Sequence, residues 1–343
     1  MAPTDPTAQI STVTYQELAD IESEFEDFNV ELVRQQAVSE RSLYERRAAL
    51  LRKIAGFWPI ALEQAPPEVD QYIQPADAGV LMASLEEIEV TRFEVISGKD
   101  NASTLPNGDP RSFSIRFTFA ENDVFDDRVL EKRFWYRHAP LKEAKAGDKK
   151  ATPATDSWSG LVSEPVAIQW KKGKDLTGGL LDLAVKVYKE GEKGNSAADL
   201  ATKLSKTPVG GMSFFAWFGY VGRRISAEES KTAVAQKREQ RAARAAKRAK
   251  GEAEAEEESA EDDEDEDDEE EEDYEHEIFA EGDVVALGLA EDFYPNAIKY
   301  FRQAQEQETL SDIDFEDAGD DFEDDDDEDE DEEDAPPSKK QRT

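Results

Sequence analysis

The sequence predicts an α+β fold in which a long N-terminal helix precedes an antiparallel β-sheet meander backed by helices, with disordered acidic segments. Three observations carry this prediction. Residues 7–55 contain neither Gly nor Pro, four later segments have the apolar patterning of half-buried strands, and most of the net charge of −40 lies in two short runs. The chain is therefore a nearly neutral body that carries two polyanionic segments.

The first long segment predicts one helix over residues 11–56. Thr14 and Glu17 have the spacing of a capping box near its start. Its central part, residues 14–55, is roughly 63 Å long at ~1.5 Å per residue, which is longer than a small domain needs. Apolar residues recur at alternating steps of three and four, as in a coiled-coil seam, at Leu18, Ile21, Phe25, Phe28 and Leu32.

Charge is sorted along this helix. Residues 15–31 carry seven acids and no base, whereas residues 34–53 carry six bases and two acids. An antiparallel second copy sets the acidic half against the basic half, while a parallel copy opposes like charges. The pattern predicts an antiparallel homodimer, with a helix folded back on its own domain as the alternative.

Four segments predict an antiparallel meander with one covered face, namely residues 85–96, 112–120, 128–137 and 165–170. The first changes phase between Val90 and Phe93, which predicts a bulge. Asn107-Gly108, between the first two strands, is a hairpin signal. The third strand places three apolar side chains on one face: Leu130, Phe134 and Tyr136.

Loops and a short helix follow the sheet. Residues 141–160 are rich in Lys, Ala, Thr and Pro, which predicts a long loop. Residues 180–189 predict a short helix, and residues 190–210 predict a loose Gly/Ser/Lys-rich connection.

The last third of the folded part contains an aromatic and a basic segment. Residues 212–221 are dense in aromatic side chains without interleaved bases, which favours core packing over nucleic-acid stacking. Residues 237–250 carry seven bases and predict a basic helix. This helix pairs in cis with the adjacent acidic run, serves as a nuclear import signal, or contacts DNA phosphates; the sequence leaves all three open. Residues 283–305 are again predicted to be folded and to end in a short helix after Pro295.

The two acidic runs are too charged to fold. Residues 252–277 hold 20 acids in 26 positions and residues 312–334 hold 18 in 23, with no Lys or Arg in either. Such segments bury too little apolar area to offset chain entropy. Without them the chain has 43 acids against 41 bases.

Composition excludes several classes of function. The chain has no Cys, which excludes disulfides, thiolate zinc sites and thiol nucleophiles. Its two histidines, His138 and His276, are far apart in sequence, so neither a histidine triad nor a multi-histidine metal site is expected. No apolar run reaches ~20 residues and no signal-peptide pattern is present. We expect a soluble intracellular protein with no membrane contact, no cofactor, no metal and no enzymatic activity.

Six segments in register resemble the nucleosome assembly protein family, and specifically its SET-type histone chaperones. In chain order they are FWPIALEQAPP (57–67), LEEIEVTRFEV (85–95), SIRFTFAENDVFDDRVLEKRF (114–134), IQWKKGKDLT (168–177), SFFAWF (213–218) and FYPNAIKYF (293–301). The sequence departs from the family pattern in its long loop at 141–160 and in the long segment from 222 to 283.

The resemblance implies a dimerisation helix joined to an "earmuff" domain, an antiparallel sheet backed by helices. Together with the charge pattern it divides the chain into a flexible N-terminus (1–10), the dimerisation helix (11–56), the earmuff (57–221), a basic then acidic disordered insertion (222–282), the end of the earmuff (283–308) and an acidic disordered tail with a basic end (309–343).

The resemblance also implies a function, which is ATP-independent binding of core histones and nucleosome assembly on DNA. The implied histone contacts are acids near the end of the earmuff and in both runs: Glu281, Asp283, Glu291, Asp292, Asp265, Glu269, Asp324, Asp325, Asp326 and Glu328. Fungal members also partner a histone acetyltransferase, and DNA is expected to be contacted weakly or through histones.

A histone chaperone is expected in the nucleus, with shuttling to the cytoplasm as an alternative. The import candidates are Lys247, Arg248, Lys339, Lys340 and Arg342. Two other functions stay open at this point: an acidic inhibitor or scaffold of a phosphatase or histone acetyltransferase, and a chaperone for other basic cargo such as ribosomal proteins.

Overall fold

A computed structural model describes residues 15–97, 103–104, 108–140, 158–191, 195–207, 212–249 and 276–317. Residues 1–10, residues 141–157 and most of both acidic runs lie outside the described residues, and the predictions made for them stay predictions. No helix in the described part of the chain is long and apolar enough to cross a membrane.

The long N-terminal helix is confirmed. Helix α1 spans Tyr15–Leu51, and its last residue, Leu51, is buried against the rest of the molecule. Gly56, whose φ of 68° suits glycine, separates α1 from three short helices: α2 (Phe57–Leu62), α3 (Pro67–Asp70) and α4 (Pro75–Ser84). Helix α4 leads directly into the sheet.

The sheet has four antiparallel strands in the order β1-β4-β5-β6: β1 (Leu85–Thr91), β4 (Phe113–Phe119), β5 (Val129–His138) and β6 (Ser159–Ser163). A separate two-stranded ribbon, β2 (Ile96–Ser97) with β3 (Ser103–Thr104), lies within the β1–β4 connection. The antiparallel meander is therefore confirmed for the first three predicted strands.

The predicted fourth strand, residues 165–170, is wrong. Pro165 has no N–H for a strand ladder, and the N–H of Val166 donates to the carbonyl of Phe218 instead. Trp170 forms a single bridge with Phe125. The edge beside β5 is taken by β6, whose first residues lie in the segment predicted as a loop.

The details of the first hairpin also differ from the prediction. The register irregularity of β1 lies between Leu85 and Glu87, not between Val90 and Phe93, because β1 ends at Thr91 and the chain then turns. Thr91 pairs with Ser114, so the β1–β4 connection is far longer than a two-residue turn. Asn107 lies outside the described residues.

The interior packs the sheet against a buried 3₁₀ helix, Phe214–Gly219. Trp217 and Phe218 of this helix lie edge-on to Phe117 of β4, and the whole 3₁₀ helix is buried. The prediction that this aromatic segment is core is confirmed. Helix α5 (Leu180–Glu190) is confirmed too, whereas the predicted loose segment after it contains helix α6 (Asn195–Leu204), which buries Ala197 and Leu200.

The last described elements are α7 (Ala227–Ala249), α8 (Gly282–Leu287), a π-helix (Gly288–Phe293) and α9 (Ala297–Asp317). The basic helix is thus confirmed, but the prediction of disorder from 222 to 282 is wrong at both ends. Ser230 and Ala233 of α7 are buried, as are Ile278 and Phe279. Helix α9 also continues past residue 308, where the earmuff was predicted to end.

Candidate functional site

One face of the helical segment 281–293 forms an exposed stripe, which we call the 281–291 stripe. Its members are Glu281, Val284, Leu287 and Glu291, spaced three, three and four residues apart. At about 100° per residue this spacing keeps them on one side of a helix. Val284 and Leu287 are each 39% exposed, so the stripe presents two apolar side chains between two carboxylates.

The opposite face of the same segment anchors it in the interior. Val285, Leu289 and Phe293 are fully buried. The indole N–H of Trp217 donates to the carbonyl of Gly282 at 2.8 Å. A Cβ at Gly282 would lie 2.3 Å from the ring of Tyr220, so glycine is required for this close approach. The core therefore fixes the orientation of the stripe.

The π-helix determines which side chains are exposed at the end of the 281–291 stripe. The N–H of Tyr294 donates to the carbonyl of Leu289 at 2.9 Å, an i to i+5 bond. The wider turn leaves Glu291 exposed while Phe293 is buried. Short π-helical segments of this kind are frequent at functional sites.

The four earmuff acids predicted to bind histones lie together on this segment, but their surroundings differ. Glu281 accepts a hydrogen bond from the Tyr72 hydroxyl at 2.6 Å; burial and this bond raise the pKa of Tyr72 to about 12. That donor is neutral, so the bond brings no positive charge to Glu281. Asp283, beside the stripe, is half-buried and accepts from the N–H of Val284.

The remaining two acids make stronger intramolecular contacts. Glu291 forms an ion pair with Arg92 at 3.0 Å, although its side chain is still 53% exposed. Asp292 accepts hydrogen bonds from the Tyr300 hydroxyl and the Asn296 amide, both at 2.9 Å. Its carboxylate therefore stabilises the turn into α9 and is the least available of the four to a partner.

A groove of about 470 Å³ lies beside Glu291, between the second half of α1 and strand β1. Its carboxylates have intramolecular partners, since Arg41 pairs with Glu45 and Arg52 with Glu87. The guanidinium carbon of Arg47 lies 4.6 and 4.3 Å from the ring centres of Tyr44 and Tyr294, which stack on each other. The groove therefore fixes α1 to the earmuff.

The predicted dimer seam lies on an exposed face of α1. Its five residues, Leu18, Ile21, Phe25, Phe28 and Leu32, are 45–64% exposed in the single chain. The face of α1 that contacts its own earmuff is a different one, since it carries Tyr44, Arg47 and Leu51. An apolar row of this size on a free helix face is what a helical partner covers.

The bases of α7 contact α1, an intramolecular pairing that the sequence did not predict. Arg241 pairs with Asp27 at 2.6 Å, Arg244 with Asp20 at 3.3 Å, and Lys237 is 3.9 Å from Glu26. These three bases thus pair with acids of the first helix, whereas pairing of α7 with residues 252–275 lies outside the described residues and stays a prediction.

The other predicted site residues are not described as side chains. Lys247 and Arg248 belong to α7 by their backbone. The acids and bases of the two runs and the tail lie outside the described residues: Asp265, Glu269, Asp324, Asp325, Asp326, Glu328, Lys339, Lys340 and Arg342.

The sequence did not predict the buried charges behind β5. Lys132 is fully buried, and its ammonium donates to the carbonyls of Glu164, Phe218 and Tyr220 at 2.8–3.1 Å. Burial lowers the pKa of Lys132 to about 7, which the nearby carboxylate of Glu277 opposes. The one available signal was position, because Lys132 alternates with Leu130 and Phe134 on the covered face.

Glu277 is the matching buried acid. It accepts hydrogen bonds from the backbone N–H groups of Val221, Gly222 and Phe279 at 2.8–3.1 Å, while burial raises its pKa. Both charges therefore hold backbone segments together. The described part of the chain contains no group of three or more His, Cys, Asp or Glu side chains placed to bind a metal.

Comparison with known proteins gives a consistent result. The sequence model of the nucleosome assembly protein (NAP) family matches residues 7–304. A Schizosaccharomyces pombe protein named for nucleosome assembly is 28% identical over 333 residues, which is 96% of each chain. Protein SET of Drosophila melanogaster is 31% identical over 153 residues, 45% of each chain.

The solved structures that resemble this chain include a Ccp1 mutant and the Vps75 histone chaperone. The crystal structure of a Ccp1 mutant is 23% identical with a TM-score of 0.50, covering 86% of this chain and 97% of that one. The Vps75 histone chaperone is 20% identical with a TM-score of 0.44, covering 85% and 98%. With a family match over residues 7–304 of 343, the chain belongs to the nucleosome assembly protein family.

Proposed function

We propose that this protein is a homodimeric histone chaperone of the nucleus that binds core histones and promotes nucleosome assembly without ATP. The observation that carries the proposal is the 281–291 stripe in a chain of this family. Its apolar pair framed by carboxylates suits a partner that combines apolar and cationic side chains, as folded histones do.

The acidic runs supply the second part of the proposal. Single exposed ion pairs contribute only ~0–1 kcal/mol each. Many of them together attract a cationic partner over a long range, an effect that salt screens. The runs capture histones, the stripe holds their folded part, and masking of histone charge prevents non-specific collapse onto DNA until DNA, the stronger polyanion, takes them.

Dimerisation through α1 is the third part. The seam face is exposed, and its acidic first half faces the basic second half of an antiparallel partner. Two earmuffs at the ends of one helix pair present two stripes to one histone complex, which raises avidity without new contacts. A histone acetyltransferase is a further proposed partner, and DNA is proposed to be reached through histones.

The proposal is tested by titrating purified core histones at about 0.15 M and 0.5 M salt. Three proteins are compared: the full chain, a version lacking 318–334, and one in which 252–275 is also replaced by a Gly/Ser linker of equal length. These limits keep α9 and the buried Glu277 intact. We expect tight binding by the full chain, and a salt-resistant remainder in the doubly altered protein.

The control is Glu281→Gln with Glu291→Gln in the doubly altered protein, against Glu63→Gln with Glu306→Gln on other exposed surfaces. If the salt-resistant histone binding is lost only in the Glu281→Gln/Glu291→Gln variant, that binding is assigned to the 281–291 stripe. If binding vanishes with the runs, the body is a dimeric carrier of polyanions. Absence of histone binding by the full chain at either salt rejects the proposal and favours an acidic enzyme inhibitor.

A further inference from the structure

Helix α7 lies along the first half of α1 in the opposite direction. Lys237 and Arg241 meet Glu26 and Asp27, and the later Arg244 meets the earlier Asp20. This antiparallel arrangement places the negative end of the α7 dipole near the positive end of α1.

The acids on this side of α1 form a regular row, which we call the carboxylate stripe. Its members are spaced three, four, three and four residues apart, at Glu17, Asp20, Glu24, Asp27 and Glu31. The hydrogen bond to Asp27, with the charges of Glu24 and Asp20, raises the pKa of Arg241. The basic face of α7 therefore meets several carboxylates of the stripe at once.

The carboxylate stripe and the dimer seam are separate faces. Each acid of the stripe immediately precedes a seam residue in sequence, as Asp20 precedes Ile21 and Asp27 precedes Phe28. One residue turns a helix by about 100°, so a ligand on the stripe leaves the seam free. Helix α7 and a second α1 can occupy the same helix together.

Helix α7 is held differently along its length. Near its start, Ser230 and Ala233 are buried, and the Ser230 hydroxyl accepts a hydrogen bond from the N–H of His138. From Lys237 to Ala246, the partly buried residues are Lys237, Arg241 and Arg244, and all the others are exposed. Partly exposed ion pairs are weak and are screened by salt. The second half of α7 is therefore a releasable arm on a packed base.

We propose that the carboxylate stripe of α1 is a binding site for a Lys/Arg-rich segment of the cargo, and that α7 is its resident occupant. The bases of α7 at steps of four and three present what such a segment presents, so cargo displaces the arm by exchanging one set of ion pairs for another. The arm reduces the affinity for weakly basic ligands. This inference rests on the proposed function, because histones are the cargo.

The test compares two variants of the full chain that lose the same charge from α7. Arg241→Gln with Arg244→Gln releases the arm, whereas Lys231→Gln with Arg238→Gln alters bases on its outer side. At 0.15 M salt we expect histone affinity to rise about 3- to 10-fold in the first variant and to change less than twofold in the second. Adding Asp20→Asn with Asp27→Asn removes the gain. Equal affinities in the two variants, with a lower Tm in the first, would make α7 a permanent brace and overturn the proposal.

A second probe separates this inference from the proposed function. A fluorescent peptide of residues 227–249 is added to the Arg241→Gln/Arg244→Gln protein with and without the two Asn substitutions. Peptide binding that depends on Asp20 and Asp27 supports the carboxylate stripe as a binding site even if histones do not bind. In that case only the proposed function fails. Histone binding without any peptide binding rejects the carboxylate stripe as a binding site and leaves the proposed function intact.

Discussion

The earmuff interior and the α1–α7 pair are held by different forces. In the interior, Phe117 meets Phe214, Trp217 and Phe218 at 5.9–6.2 Å between ring centres, and all four side chains are at most 1% exposed. In the α1–α7 pair, the side chains of the three ion pairs are 13–53% exposed. Salt therefore changes the second region and leaves the first almost unaffected.

This difference separates a fixed scaffold from the surfaces that bind partners. The interior sets the orientation of the 281–291 stripe through Trp217 and Phe293. The α1 helix keeps two faces, the seam and the carboxylate stripe, on which partners can exchange. The predictions below test this division, beginning with the largest expected effect.

The dimer seam should be the most sensitive surface of α1. Phe25→Glu with Phe28→Glu removes two aromatic side chains and places charges in an apolar contact, so the dimer Kd should rise at least ~1000-fold. Sedimentation equilibrium measures the Kd, and circular dichroism checks the fold. Met82→Glu, at another exposed apolar residue, on α4, should leave the dimer unchanged. A double variant that stays dimeric at low micromolar concentration would contradict the seam assignment.

The interior should respond most strongly at Lys132. Lys132→Met keeps the approximate shape but removes one donor from three buried carbonyl oxygens and the cation near the buried Glu277, which should lower the free energy of unfolding by about 3 kcal/mol. Urea unfolding at fixed pH measures it. The effect should be the same at 0.1 and 0.5 M salt; a cost that disappears in high salt would show that the site is open to solvent.

Lys132 should also make stability depend on pH. Its pKa is about 7 in the folded protein and 10.5 as the ordinary value. Between these values the unfolded chain binds more protons, so the free energy of unfolding should rise with pH from 7 to 10.5 and be flat with respect to this group outside that window. The difference in unfolding free energy between wild type and Lys132→Met, followed over pH 6–10, should grow in favour of the wild type.

Local sequence patterns predicted much of the fold. They failed where a residue is buried by contacts with distant segments. The spacing from Leu18 to Leu32 predicted α1, and the alternation from Phe113 to Phe119 predicted β4. The burial of Lys132 was not predicted. The free-energy cost of burying its charge is offset by carbonyl groups of distant segments, which no local pattern shows.

The candidate site was likewise predicted only in part, because some of its contacts join segments that are distant in sequence. Family resemblance placed Glu281 and Glu291 in the site, but the intervening Val284 and Leu287 were not predicted, because a helix was expected only after Pro295. The contact of α7 with α1 joins residues more than 200 positions apart, and neither helix alone specifies it. Charge sign alone suggested the nearest acidic run as the partner.

Arg47 should behave as an intermediate case between the two regions. Its guanidinium lies beside two stacked tyrosine rings and donates to the carbonyl of Tyr294 at 2.7 Å. Arg47→Ala should therefore cost about 2 kcal/mol in unfolding free energy with little salt dependence. The neighbouring Arg46→Ala, exposed on α1, should cost less than ~0.5 kcal/mol. Equal costs would mean that the second half of α1 is not packed on the earmuff.

The 281–291 stripe combines both forces and should show which of them holds a bound histone. Val284→Gln with Leu287→Gln removes apolar contact area without changing charge, and Gln forms helices at least as well as Val. Met82→Gln with Val129→Gln removes apolar area without changing charge at exposed positions elsewhere. At 0.5 M salt, where capture by the acidic runs is screened, the first pair should weaken histone binding about 10-fold and the control pair less than twofold. At 0.15 M the difference should shrink, because the runs then contribute most of the attraction. A uniform loss at both salts in both variants would mean that binding is electrostatic throughout, and that the fixed orientation of the stripe serves the fold and not the partner.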